Sequence, residues 1–261
     1  MDATSAQSNF DIKTEIAAYW DRRAATFDDS PSHVIRQGRE RDTWRAVLAR
    51  HMPGEDAHVL ELGCGTGIIT ELLLECGYRV SAIDLAEEML KRARERIGLR
   101  ADIRFADAED PYPMTGPFDA ILSRHLVWTL PDPATAFRRW FRLLRPGGRV
   151  VIVDCRWSDD RFPANLLMRL AGMVEPAAPN PDAPPGVADP DSPYHEIGSH
   201  LPFGIGGAAP EAFADMLKDA GFVDIRIDRL RDLKSAQRNG RPLGFRLRSL
   251  ATERYVVRAS T

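Results

Sequence analysis

The run Val59-Leu60-Glu61-Leu62-Gly63-Cys64-Gly65-Thr66-Gly67-Ile68-Ile69-Thr70 constrains this chain more than any other stretch. Apolar residues lead to an acid, glycines follow at alternate positions, and an apolar run of helical character starts directly behind them. That order reads as a strand, a tight turn and a helix start. Glycine belongs where the backbone takes positive φ or lies against a ligand with no Cβ between them. The first turn of a helix also offers unpaired N–H groups, so the loop is suited to holding a ligand against bare backbone.

The spacing narrows the ligand. A dinucleotide fingerprint reads G-x-G-x-x-G and rests a pyrophosphate on the helix N-terminus. Here the pattern is E-x-G-x-G-x-G, with Glu61 standing ahead of Gly63, Gly65 and Gly67. A carboxylate in that place repels pyrophosphate and suits a cationic ligand. Glu61-Leu62-Gly63-Cys64-Gly65-Thr66-Gly67 resembles the first motif of class I S-adenosylmethionine-dependent methyltransferases. In that family the loop wraps the methionine part of a sulfonium cofactor, whose amino group the acid helps to attract. The resemblance therefore implies S-adenosyl-L-methionine as cofactor.

Downstream residues extend the likeness. A second strand, Tyr78 to Ile83, is expected to end at Asp84, roughly 20 positions past the first glycines, where a nucleoside-binding α/β unit holds a ribose by its hydroxyls. A carboxylate accepts such bonds with two oxygens, and charge-assisted bonds are the stronger kind. Asp84-Leu85-Ala86-Glu87-Glu88-Met89-Leu90 resembles the family's second motif. A competing reading makes Asp84 a helix N-cap, with Glu87 completing a capping box. After a third strand, Ile103 to Ala106, the family places an acid against the adenine amine and its neighbour's backbone against a ring nitrogen. Asp107 and Ala108 hold those positions, with Glu109 beside them.

A fourth strand, Phe118 to Leu122, leads into Ser123-Arg124-His125-Leu126-Val127-Trp128. The carboxyl end of a central strand is where an open α/β sheet places its ligand crevice. No N-P-P-Y or D-P-P-Y occurs there, and Ser123 stands where metal-dependent catechol-type enzymes carry a metal-binding Asp. The S-R-H-x-x-W-x-L-x-D-P string is similar to small-molecule members of the type 11 group. Upstream, Tyr19-Trp20-Asp21-Arg22-Arg23-Ala24 resembles the N-terminal element of UbiE-like small-molecule methyltransferases, which lies over the cofactor and makes Tyr19 and Arg23 lid residues. L-x-P-G-G before a fifth strand (Arg149 to Asp154) and A-G-F before Val223 to Ile227 are further family hallmarks. Residues 1–10 read as a loose end, helices are expected from Asp11 and over Arg36 to His51, and the seven cationic residues of 229–248 read as a solvated face, with an anionic substrate as the alternative.

The expected fold is α/β: a Rossmann-like doubly wound sheet, mostly parallel with an antiparallel last strand. Its single domain divides into an N-terminal helical lid segment (1–52), a cofactor-binding core (53–155), a cap insertion (156–208) with a Pro-rich stretch at 175–193, and a C-terminal part of the sheet (209–261). Length and composition suit this: 261 residues, 44% hydrophobic and 28% charged, are enough for one large soluble domain.

A net charge of -3 gives no basic footprint for nucleic acid, so the expected partner is a small-molecule substrate, with a homodimer left open. Three cysteines without a C-x-x-C pair argue against a disulfide framework or zinc site, and His195-Glu196 with His200 lacks the spacing of a helical metal site. No metal is expected. With neither a basic-then-apolar leader nor a membrane span in the sequence, the expected location is cytoplasmic.

Methyl transfer from a sulfonium needs nucleophile and methyl group held in line and dry. A phenol or amine acceptor must also lose a proton, usually to a near-neutral histidine. His125 is the catalytic candidate by its strand-end position. His33, Trp128 and His195 join it as substrate-side candidates. Alternatives are transfer of the cofactor's aminocarboxypropyl arm, for cyclisation or alkylation, and a non-catalytic subunit of the same fold.

Overall fold

The computed structural model describes residues 3–30, 33–157, 163–174 and 194–261. In chain order they form α1 (Ala3–Arg23), a 3-10 turn (Ala24–Asp29), α2 (Arg39–His51), β1 (His58–Leu62), α3 (Ile68–Glu75), β2 (Arg79–Asp84), α4 (Glu87–Ile97), β3 (Asp102–Phe105), β4 (Phe118–Arg124), α5 (Pro133–Leu143) and β5 (Leu144–Arg156). Then come α6 (Ala164–Val174), α7 (Tyr194–His200), α8 (Pro210–Asp219), β6 (Val223–Asp228), α9 (Arg231–Arg238), α10 (Leu243–Ala251) and β7 (Glu253–Ser260).

Among the described residues the strands form one sheet in the order β3-β2-β1-β4-β5-β7-β6. Neighbours from β3 to β5 are parallel, and β7 runs antiparallel between β5 and β6. The chain builds outward from β1 to β3, then returns to lay β4 against β1. That reversal is the switch point at which doubly wound sheets open a crevice at the carboxyl ends of their strands. Val150 to Val153 are apolar and buried, as a strand covered on both faces should be. One face carries Trp44, Leu48, Leu72, Leu90 and Leu233 from α2, α3, α4 and α9. The other carries Phe137, Trp140, Phe213 and Leu217 from α5 and α8. Among the described residues no helix is long and apolar enough to cross a membrane.

Several boundaries differ from the sequence expectation, each for a local reason. Residues 3–10, expected as a loose end, belong to α1. The second helix starts at Arg39, because Gly38 stands at φ +76 and Arg36 turns aside to donate to the carbonyls of Ala236, Gln237 and Asn239. Leu144 pairs with Phe118 and draws the R-P-G-G segment, expected as a turn, into β5. The stretch 229–248, expected as a charged face, folds largely into α9 and α10 and buries Leu233, Ala236 and Arg248. Residues 175–193 lie outside the described residues.

Candidate active site

The glycine loop leaves β1 through three positive φ angles: Gly63 at +67, Gly65 at +54 and Gly67 at +82. Gly67 is the left-handed N-cap from which α3 rises. The loop is fastened to β2 by Asp84, whose Oδ2 accepts the Gly65 N–H at 2.8 Å while Oδ1 accepts the Ala86 N–H at 2.9 Å. The N-cap reading of Asp84 is thereby corrected: α4 starts at Glu87, its N-cap is Ala86, and the side chain that meets an α4 amide is Asp21 of α1, bonded to Glu88 N at 2.9 Å. Two oxygens that each accept one backbone bond keep capacity for two more, and Leu85 and Ala86 follow directly at the helix start.

Glu61 lies beneath the loop, 3% exposed, and accepts the Thr70 hydroxyl at 2.6 Å. Burial pushes its carboxyl up to about 8, with the Thr70 bond pulling the other way. A Cβ at Gly65 would meet only the Phe27 ring, at 3.8 Å, so the outer face of the loop is open; Cys64 is buried behind it. An open glycine turn beside an underused carboxylate fits an adenosyl group.

The N-terminal segment closes this side. Asp28 takes the Thr66 hydroxyl at 2.6 Å and the Arg96 guanidinium at 2.6 Å, which ties the first 3-10 turn to the glycine loop. Lys13 reaches Asp107 at 2.7 Å and Glu109 at 2.6 Å. Glu109 also accepts the Asp132 N–H, and Asp132 caps α5 through Thr135 N. Trp140 donates to the Ala108 carbonyl at 2.7 Å, which leaves the Ala108 amide out of that bond. Tyr19 and Trp20 meet edge to face at 5.1 Å. The Arg23 Nε is buried with no hydrogen-bond partner among the described residues.

At the carboxyl ends of β4 and β5 stand Ser123, His125 and Asp154. The Ser123 hydroxyl, His125 Nδ1 and Asp154 Oδ2 are buried and unpartnered among the described residues. Unpaired buried polar atoms are costly, and three at one strand end mark a place for a polar ligand. His125 has φ +56, a region non-glycine residues rarely adopt, and its Nδ1 lies 3.7 Å from Asp154 Oδ1. Burial, followed by the charges of Arg124 and Arg254, holds the His125 imidazole well below its ordinary value. Burial pushes the Asp154 carboxyl up to about 8, against the pull of the Cys155 N–H.

Trp157 sits 5.4 Å from His125 and 5.1 Å from Trp128, and Trp128 donates to the His125 carbonyl at 3.1 Å. Around Trp128, Ile16 and Tyr19 of α1 pack with Ile197 and Leu201 from α7 and the residue after it, so N-terminal segment and cap meet over the end of β4. His33 stacks on Phe27 at 3.9 Å, and burial lowers its ring to about 4.

His195, a substrate-side candidate by sequence, is exposed on α7; Ile197 is the residue that α7 turns inward. Sequence reasoning passed over Lys13, Asp28, Asp154, Trp157 and Arg254.

The comparisons bear on this site. Residues 60–152 match the family model described as a methyltransferase domain. Residues 60–152 thus carry a methyltransferase domain. Over 109 residues it is 38% identical to the ubiquinone biosynthesis O-methyltransferase of Xylella fastidiosa (strain 9a5c), covering 40% of this chain and 44% of that protein. Over 171 residues it is 32% identical to the protein of the same name from Xanthomonas axonopodis pv. citri (strain 306), covering 64% and 66%. The first relatives are thus matched over about half their length or less. One chain of the Haloferax volcanii complex between the Trm112 methyltransferase activator and its methyltransferase superposes with a TM-score of 0.61 at 17% identity, covering 95% of this chain and 96% of that one. That likeness shows the methyltransferase fold.

Glu61 and Asp154, whose carboxyls burial pushes up to about 8, make the stability of the chain pH-dependent. A group whose folded value lies above its unfolded one stabilises fully below the unfolded value and stops doing so as pH rises through the folded value. For Glu61 and Asp154 the window runs from ordinary values of 4.5 and 3.8 up to about 8. His33 and His125, lowered from 6.5, act oppositely and only below that value. From pH 6.5 to 8.5 the melting temperature of the ligand-free protein should therefore fall, with each carboxyl costing about 1–2 kcal/mol. Glu61→Gln should flatten the decline; a melting curve rising over that interval would contradict it.

Proposed function

We propose that this chain is an enzyme that moves a methyl group from S-adenosyl-L-methionine to oxygen, nitrogen, sulfur or carbon of a small molecule by in-line displacement. The observation that carries the reading is the joining of the positive-φ glycine loop to Asp84 through Gly65 N at 2.8 Å. The two motifs a sulfonium nucleoside would use are thereby one rigid unit.

In this reading Gly63, Cys64, Gly65 and Gly67 supply backbone against the methionine part, and the Glu61 carboxyl supplies negative charge for its amino group. Asp84 and Leu85 hold the ribose, and Asp107, Ala108 and Glu109 hold the adenine. Ser123 offers its unpartnered hydroxyl beside the sulfonium. Tyr19 and Arg23 close from above. The cofactor supplies, when bound, an electrophilic methyl on positive sulfur. The segment 1–52 acts as lid and 156–208 as cap on the core 53–155, with 209–261 completing the sheet.

Trp128 and Trp157 exclude water from the acceptor side, which favours displacement by a bound nucleophile over hydrolysis. His125, kept neutral by burial, can accept a hydrogen bond at Nδ1 from the acceptor's hydroxyl or amine and orient it for displacement, the proton leaving to solvent with the methylated product. The cysteines Cys64, Cys76 and Cys155 form no disulfide with one another, in keeping with a cytoplasmic location.

The test is product analysis after incubation with labelled cofactor and a pool of phenols, amines, thiols and carboxylic acids. S-adenosylhomocysteine should accumulate together with methylated acceptor. Methylthioadenosine in its place would mean transfer of the aminocarboxypropyl arm, and neither product would leave a non-catalytic subunit.

A further inference from the structure

Arg254 differs from the other buried arginines near the sheet. Arg41 is paired with Glu71 and Glu75, and Arg258 with Asp224. Arg254 is 8% exposed and makes no hydrogen bond or ion pair with any described residue. It is the second residue of β7, opposite Cys155 and two residues before Val256, which faces Val153 of β5. Val153 in turn pairs with Arg124 of β4. Strand alternation sets Arg254 on the face of Val256, and Arg124 on that of Leu122, and both apolar residues pack in the core of Trp44. The Arg124 guanidinium lies 5.2 Å above the Trp44 ring. Two cationic side chains thus share one face at the carboxyl end of the sheet, next to the residues placed around the reacting methyl.

Two acids among the described residues nearby are held by other groups. Glu40 is held by Arg36 at 2.8 Å and Glu61 by Thr70. Asp154 stands one residue from the Cys155 register position, its carboxyl pushed up to about 8 even with Arg254 near it. The charges of Arg124 and Arg254 reach both His33 and His125 and help keep those rings neutral. At this end of the sheet Arg254 thus presents a guanidinium that no acid among the described residues pairs. A guanidinium presents a planar fork of donors that matches a carboxylate.

We propose that Arg254 forms an anion subsite on the acceptor side, and that the methyl acceptor is a small organic carboxylate whose charged end lies against this guanidinium. The inference rests on the methyltransferase reading and names the substrate class for it. The aromatic surfaces of Trp128 and Trp157, with His125 between strand end and cap, would face the rest of such a molecule.

The experiment uses acetate and benzoate against their neutral counterparts acetamide and benzamide, on the full chain with and without S-adenosylhomocysteine. Thermal melting should rise with the carboxylates and stay unchanged with the amides. Arg254→Met should erase the carboxylate response while leaving the melting temperature of the ligand-free protein within about 2 °C of the unaltered chain. Its S-adenosylhomocysteine affinity should stay within about twofold of the unaltered chain.

A variant that melts lower and keeps the carboxylate response would make Arg254 structural and overturn the proposal. So would equal responses to amides and carboxylates, or no response to either. A tenfold loss of S-adenosylhomocysteine affinity would also overturn it, since the guanidinium would then serve the cofactor's own carboxylate. Should the unaltered chain fail to bind S-adenosylhomocysteine, the methyltransferase reading falls, while the carboxylate response of the ligand-free protein still decides the anion subsite.

Discussion

Asp84→Ala should weaken S-adenosylhomocysteine binding by about 100-fold or more, because the carboxylate has two jobs in the proposed site. It accepts the Gly65 and Ala86 amides and is assigned the ribose hydroxyls. Hydrogen bonds to a charged acceptor contribute about 1.5–3 kcal/mol each, so two ribose bonds alone account for the loss at about 1.4 kcal/mol per tenfold. Losing the acceptor for two amides should also lower the melting temperature. Asp84→Asn keeps one acceptor oxygen and should fall between. Calorimetry on the three proteins, with melting curves beside it, separates the roles. Lowered stability with unchanged affinity would leave Asp84 a loop fastener and nothing more.

Gly65→Val should be at least as damaging to binding while sparing the core. The position stands at φ +54, and a left-handed conformation costs an L residue about 1–2 kcal/mol, more when the side chain is β-branched. The new side chain would also occupy the open face under Phe27, where the nearest ring atom lies 3.8 Å from a Cβ. Nothing in the hydrophobic core is touched, so the variant should fold and fail to bind.

The parts of the site legible in the sequence are those in which chemistry and chain order coincide. Glu61, the three glycines and Asp84 sit at fixed distances on consecutive elements, and the spacing of strand, loop and helix carries them into one place. Strands β1, β2, β4 and β5 were legible for the same reason: each carries a short apolar run beside Gly, Pro or Asp. Lys13 and Asp28 were not, because their partners Asp107, Glu109, Thr66 and Arg96 lie far along the chain, and a lone Lys or Asp on a polar helix face gives no signal. Asp154 and Arg254 were hidden by ordinary strand sequence; only the antiparallel pairing of β5 with β7 brings them to the end of β4. His195 is the opposite case, a residue of catalytic type exposed on a helix. The N-cap reading of Asp84 failed because the helix begins two residues later than the motif suggests.

The most direct test of the central claim, that the loop fastened to Asp84 wraps an adenosyl cofactor against bare backbone, is a calorimetric titration of the unaltered chain and Gly65→Val with S-adenosylhomocysteine and NAD in parallel. Micromolar S-adenosylhomocysteine binding by the unaltered chain, none by the variant, and no NAD binding by either is the expected result. Equal S-adenosylhomocysteine affinity in both proteins, or binding of NAD in its place, would contradict it.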